Sequence, residues 1–310
     1  MSIRNLDRMY APRSVALVGA TAKPGAVGNV LLNNLLGAGL PGPVWAVNPK
    51  GGQIAGLDVY RDIASLPEAP DLAVVATPPQ TVPGIIDELG WRGTRAAVVI
   101  TAGFGELGEE GRALQTKMLE AARPHLLRIA GPNCLGIMAP GNGLNASFGH
   151  VQPGKGNVAF VSQSGAIVTA VLDWATSRGI GFSHVASLGG MSDVDFGDML
   201  DYLAADPQTK SILLYIESIT DARKFMSAGR QAARLKPVIV IKSGRHEAGA
   251  KAAASHTGAL AGSDAVYQAA FRRAGMLREL GIEDLFDAVE TLSARSERRP
   301  ILGERLGILT

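Results

Sequence analysis

The chain has 310 residues, more than one typical domain of roughly 100–150 residues, so two domains are expected. A composition of 46% hydrophobic, 19% charged and 5% aromatic residues with 38 glycines excludes a disordered chain and suits an α/β protein rich in tight strand-to-helix turns. A net charge of +2 excludes nucleic-acid or membrane binding by bulk field, and the single cysteine, Cys134, excludes an intrachain disulfide. The apolar runs at 72–76 and 212–216 fall far short of the ~20 residues that cross a bilayer, and no secretory signal opens the chain, so a cytoplasmic protein is expected.

In chain order, β-branched runs at 14–19, 44–47, 72–76, 97–100 and 127–130 alternate with helical spacing at 28–36, 81–89 and 106–122. Near-continuous apolar strands alternating with amphipathic segments predict a parallel sheet covered on both faces, a Rossmann-like domain over residues 1–145. Periodicity then lapses in a Gly-, Pro- and Asn-rich stretch, 139–156, which reads as a connector. The cycle restarts with strands at 158–161, 184–188, 212–217 and 238–242 and helices at 166–177, 196–204, 221–234, 263–274 and 282–292. This predicts a second, flavodoxin-like α/β domain over 146–298. Residues 299–310 read as a linker and the first strand of a further domain, because an isolated strand is not stable.

The first strand runs through Gly19, Thr21, Ala22, Lys23, Pro24 and Gly25 to a helix at Gly28. Such a turn is either a plain connection or a phosphate site built from helix N-terminal N–H groups. Its spacing departs from G-x-G-x-x-G, which weakens dinucleotide binding. Strand two ends in Asn48-Pro49-Lys50 where an NAD-binding domain carries an acid, and Lys50 would attract a ribose phosphate, that of CoA or of NADP. Thr77, Pro78 and Pro79 end strand three, either as a plain helix start or as a stiff wall for an adenine or pantetheine group. Ile100, Thr101 and Ala102 end strand four, and Asn133, Cys134 and Gly136 follow strand five.

In the second half, Ser162, Gln163, Ser164 and Gly165 lead from a strand into a helix, as an ordinary serine cap or as another anion site. Gly189-Gly190 offers a loop where backbone can approach a ligand. His256 lies among small residues in a long loop, a bystander or a functional group. Glu217, ending an apolar strand, is placed to orient an imidazole. His125, His150, His184 and His246 are read as structural.

The segments PRSVALVGA, TPP, ITAGF, GPNCLG, VSQSGA and SHTGALAGSD, in this order, resemble the NDP-forming acyl-CoA synthetase superfamily, which includes the α subunit of succinyl-CoA synthetase. The opening looks most like acetate–CoA ligase family proteins. The resemblance implies interconversion of acyl-CoA, NDP and phosphate with carboxylate, CoA and NTP, through an acyl phosphate and a phosphohistidine. It makes His256 the nucleophile and Glu217 its steadying partner. Gly19 to Gly28, Lys50, Thr77 to Pro79, Ile100 to Ala102 and Asn133 then face CoA. Ser162 to Gly165 with Cys134 and Gly136 hold the phosphoryl group, and the small carboxylic acid or acyl phosphate lies near Thr169. ATP/ADP or GTP/GDP with Mg2+ would bind an ATP-grasp domain or subunit, in cis or trans, without which the chain would not turn over. No metal site of its own is expected, and an oligomer is. Two other readings are a regulatory CoA- or acyl-CoA-sensing region of a lysine acetyltransferase fusion and an NADP-dependent dehydrogenase, the latter disfavoured by the loop spacing.

Overall fold

The computed structural model describes residues 3–244 and 263–295. Every residue of β1 (Val15–Val18) is buried; Val15 and Leu17 face one core, Ala16 and Val18 the other. That two-sided burial marks a central parallel strand. Flanking it are β2 (Val44–Val47) and β5 (Leu72–Val75), both parallel and in register along all four residues. With β3 (Gln53–Ile54), β4 (Leu57–Tyr60), β6 (Ala96–Val99) and β7 (Arg128–Ala130) they form a sheet of order β3-β4-β2-β1-β5-β6-β7. The helices of this half are α1 (Leu6–Tyr10), α2 (Val27–Gly37), α3 (Val82–Arg92) and α4 (Glu109–Ala122).

The chain passes to a second sheet between Ala130 and Gly136, ahead of the 145/146 boundary expected from composition. The stretch read as a connector contains a hairpin. β8 (Gly136–Ala139) pairs antiparallel with β9 (Leu144–Ser147), and on its other side with β11 (Phe182–Ser187). Polar residues hid it: Asn145 and Ser147 are buried but partnered, Ser147 Oγ donating to Asn145 Oδ1 at 2.7 Å and Asn145 Nδ2 to Gln152 Oε1 at 2.9 Å. The remaining strands are β10 (Lys155–Ser162), β12 (Ser211–Ile216), β13 (Val238–Lys242) and β14 (Leu277–Glu279), giving the order β14-β13-β12-β10-β11-β8-β9. Between them run α5 (Gly165–Ser177), α6 (Phe196–Ala205), α7 (Ala222–Leu235) and α8 (Asp264–Ala274), with α9 (Ile282–Arg295) last. Both domains are thus α/β, as expected. The strand expected at 305–310 lies outside the described residues.

The two sheets are joined by backbone as well as side chains. Gly190, Ser192 and Val194 donate N–H bonds to Pro132 O, Gly131 O and Ile129 O at 2.8, 3.1 and 3.0 Å. Residues 190–194 therefore lie along the free edge of β7, and the second domain completes the first sheet. Arg128 Nε bonds both oxygens of Asp193, at 3.1 and 2.9 Å, and its Nη2 reaches Asp198 at 3.1 Å. Gly189 (φ 53) lies so close that a Cβ there would stand 2.3 Å from Pro132 O and Asn133 O. The Gly189-Gly190 pair thus serves backbone packing against the 132–133 turn, with Gly190 exposed. On the second domain, the ring of Tyr10 from α1 lies 5.3 Å from His184 and 5.4 Å from Tyr202. No helix among the described residues is long and apolar enough to cross a membrane.

Candidate functional site

All parallel strands of the first sheet end on one edge, and the residues expected to face an anion lie on it. The β1–α2 loop is tight: a Cβ on Gly19 (φ 104) would stand 2.3 Å from Ala76 O, and one on Gly28 2.1 Å from Gly19 O. Only glycine lets α2 begin against this loop. Ala26 at the N-cap supplies no side-chain acceptor, so the first-turn N–H groups have no side-chain cap. Ala22, Lys23, Pro24 and Gly25 are exposed, and Thr21 Oγ1 accepts the Lys23 N–H at 3.2 Å. Asn48 organises the neighbouring edge, its Nδ2 donating to Ala20 O at 2.8 Å and its Oδ1 accepting the Lys50 N–H at 3.0 Å. Lys50 is exposed beside this loop. The bracing role of Asn48 was missed, although an amide at a strand end is a turn-forming signal.

The ends of β5, β6 and β7 are braced in turn. Thr101 Oγ1 donates to Thr77 O at 2.7 Å, and Asn133 N–H donates to Thr101 O at 2.9 Å. Asn133 adopts the left-handed conformation (φ 55), and its side chain is exposed. Pro78 and Pro79 start a short 3-10 turn, with a Cβ on Gly103 falling 2.9 Å from the Pro79 ring.

These ends open onto a cavity of about 720 Å³ whose other wall belongs to the second domain. Thr77, Ile100, Thr101, Ala102 and Asn133 face Gln163, Ser164, Gly165 and Thr169 across it. The cavity therefore joins the expected thiol end of the CoA site to the start of α5. Lys50, Pro78, Pro79 and the exposed part of the β1–α2 loop lie outside its lining.

Within the second wall the side chains divide their tasks. Ser164 caps α5 by accepting the Ile167 N–H at 3.4 Å. Gln163 Oε1 accepts the N–H groups of both Glu217 and Ser218 at 2.9 Å, and its Nε2 donates to Ser218 Oγ at 3.0 Å. This amide fixes the turn after β12 and so aims Glu217, which is 9% exposed. Next to it Lys242, at the end of β13, is 5% exposed and lies 4.7 Å from the Tyr267 ring centre. Burial pushes the Lys242 ammonium down, Arg278 adds to this, and Asp264 and Glu217 oppose it. A buried lysine at the carboxyl edge is a ready counter-charge for a phosphoryl group. In the sequence it marks only the end of a strand, 238–242.

Three expected phosphate ligands are placed differently. Ser162 is fully buried, its Oγ donating to Ser164 O at 2.8 Å and accepting the Ser164 N–H at 3.0 Å, so it shapes the turn instead of meeting an anion. Cys134 lines the cavity, but its thiol donates to Val99 O at 3.4 Å and burial pushes its pKa up to about 12, which keeps it neutral. Gly136 is buried in β8, where a Cβ would stand 2.2 Å from Ala146 O. Thr169 faces the cavity with its hydroxyl hydrogen engaged by its own helix, at Gly165 O or Ala166 O. His150, read as structural, is instead an exposed cavity-lining residue 2.7 Å from Asp173. His256 and His246 lie outside the described residues.

A CoA binding domain model matches residues 13–140, and a succinyl-CoA ligase like flavodoxin domain model matches residues 155–292. The chain belongs to the NDP-forming acyl-CoA synthetase family. The chain is 45% identical over 282 residues to ADP-forming acetate–CoA ligase I of Archaeoglobus fulgidus, covering 91% of this chain and 41% of that protein. It is 41% identical over 310 residues to subunit alpha of the ADP-forming acetate–CoA ligase I of Pyrococcus furiosus, covering 99% and 66%. Among solved structures, the dinucleotide forming acetyl-coenzyme A synthetase 1 of Ca. Korarchaeum cryptofilum, in complex with phosphate and ADP, superposes with a TM-score of 0.89. Identity there is 40%, over 93% of this chain and 62% of that one. The chain thus spans less than two thirds of the length of these relatives.

Proposed function

We propose that this chain is the CoA-binding, phosphohistidine-bearing part of an NDP-forming acyl-CoA synthetase acting on acetate or another small acid. The supporting observation is the cavity shared by the carboxyl edges of both sheets, which brings a CoA-type edge within reach of a helix N-terminus. Phosphate attacks the thioester carbon; the C–S bond breaks, CoA leaves as the thiol with a proton from phosphate, and an acyl phosphate remains. The His256 imidazole then attacks phosphorus, the P–O bond to the acyl oxygen breaks, and the carboxylate departs. Phosphohistidine finally passes its phosphoryl group to NDP.

In this scheme the N–H groups at the start of α5 and the Lys242 ammonium offset phosphoryl charge, and Glu217, aimed by Gln163, steadies the imidazole. Asn133, Thr101 and Ala102 line the approach of the CoA thiol, while Lys23 and Lys50 meet its phosphates at the exposed rim. The nucleotide and its Mg2+ belong to an ATP-grasp domain or subunit, in cis or trans, where the metal offsets phosphate charge. The protein works as an oligomer in the cytoplasm. Titration calorimetry tests the cofactor choice: CoA should bind and NADPH should not, and the reverse result overturns the reading. With the ATP-grasp partner and radiolabelled ATP, the chain should gain an acid-labile, base-stable label that His256→Ala abolishes; label persisting in that variant removes His256 from the scheme.

A further inference from the structure

Five arginines lie far from the cleft on the outer faces of α7 and α8. Arg223, Arg230 and Arg234 project from α7, and Arg272 and Arg273 from the last turn of α8, all exposed. They border two contiguous grooves of about 490 and 770 Å³ that share Arg230 and Arg234, and among the described residues neither groove is lined by an aspartate or glutamate. Among the described residues none of the five forms an ion pair; the nearby Lys224, by contrast, is held by Asp195 and Asp198 at 2.9 and 2.6 Å.

Helix stabilisation explains only part of this pattern. Cations are favoured in the last turn of a helix, which accounts for Arg234, Arg272 and Arg273. Arg223 lies in the first turn of α7, where a cation is unfavourable, and Arg230 and Arg234 form a like-charge i,i+4 pair. Neither the first-turn cation nor the like-charge spacing stabilises the isolated fold; an anion laid across them relieves both. From Arg223 to Arg234 is eleven residues of helix, about 16 Å, too long a strip for one small anion.

We infer that this strip docks an extended acidic segment of a partner protein. Guanidinium forks bind carboxylates in pairs of hydrogen bonds. The groove also offers apolar flanks, Leu235 at 63% exposure and the half-buried Met226, which suit acidic residues interspersed with aliphatic ones. A chain net charge of +2 lacks the overall field that gathers nucleic acid. Both helices end at the amino ends of β13 and β14, the edge opposite the cleft, so the docked segment takes no part in the chemistry.

The test is fluorescence anisotropy of the full chain with a labelled twelve-residue glutamate/leucine peptide, its glutamine/leucine counterpart and an oligothymidylate of equal charge. The acidic peptide should bind with an affinity that falls as salt rises, and the other two should bind at least about tenfold more weakly. The double change Arg230→Glu with Arg272→Glu should weaken peptide binding about tenfold or more at an unchanged melting temperature. Should that variant melt early, Arg230→Gln with Arg272→Gln must give the same ordering at a smaller amplitude. Equal binding of the neutral peptide, tighter binding of the oligothymidylate, no binding of the acidic peptide, or full binding by the variants overturns the proposal.

Discussion

Gln163 makes a sharp test of how the second wall of the cleft is built. Its side chain makes three hydrogen bonds, two of them accepting the N–H groups of Glu217 and Ser218. In Gln163→Leu all three are lost, and the Glu217 N–H remains buried without an acceptor. At a net 0.5–1.5 kcal/mol for each bond, the expected loss of stability is about 3 kcal/mol. Gln163→Glu keeps the acceptor oxygen for both N–H groups and loses only the donor to Ser218, so its loss should be about 1 kcal/mol. It also sets a carboxylate at the start of α5, where it would repel a phosphoryl group. Urea denaturation should therefore rank the leucine variant well below the glutamate variant, while labelling of the chain by the ATP-grasp partner should fall in both. Equal midpoints for the two variants would refute the view that this amide holds the turn. Undiminished labelling of the glutamate variant would show that the phosphoryl group lies elsewhere.

Three further outcomes follow from the geometry. Lys50→Glu should weaken CoA about tenfold and dephospho-CoA much less in calorimetry, and equal losses would deny it the 3′-phosphate. Gly28→Ala forces a methyl group against Gly19 O, so it should cost about 1–3 kcal/mol in thermal denaturation and reduce CoA binding; a variant unchanged in both would show that the loop yields freely. Burial pushes the His184 imidazole down to about 4, with Asp206 opposing and Lys236 assisting. Unfolded, it titrates near 6.5, so between about 6.5 and 4 the unfolded chain binds the extra proton. The stability from neutral His184 is complete above pH 6.5 and is lost as pH falls through 4, by at most about 1.4 kcal/mol per pH unit. Urea midpoints from pH 7.5 to 4.5 should fall less steeply in His184→Gln, and parallel slopes would contradict this.

The parallel cores were legible because their strands are apolar on both faces: Val15 to Val18 and Leu72 to Val75 have no polar side to confuse the reading. The helix starts facing the cleft were legible for the same topological reason, since parallel strands all end on one edge. The hairpin of β8 and β9 was not, because Asn145 and Ser147 satisfy each other inside the protein and look like loop residues in a list. Short β14, with Leu277 at 55% exposure, carries too little apolar pattern to be seen. The cavity's membership was also hidden. It depends on how the two sheets are set against each other, through pairs such as Arg128 with Asp193 that are 65 residues apart. Local spacing contains no trace of such pairs, so the roles of Ser162, Cys134 and His150 were assigned by neighbourhood in the chain.

The strip of backbone that the second domain lays along β7 also limits how the protein can breathe. Two lobes stitched edge to edge cannot swing apart like jaws without breaking three backbone hydrogen bonds and the guanidinium clamp beside them. Reagents must therefore enter and leave past side chains and loops at the mouth of a vessel whose walls hold still. If the proposed reaction holds, its acyl phosphate, which water destroys, gains from a stationary container a shelter that a hinged one would forfeit at every opening.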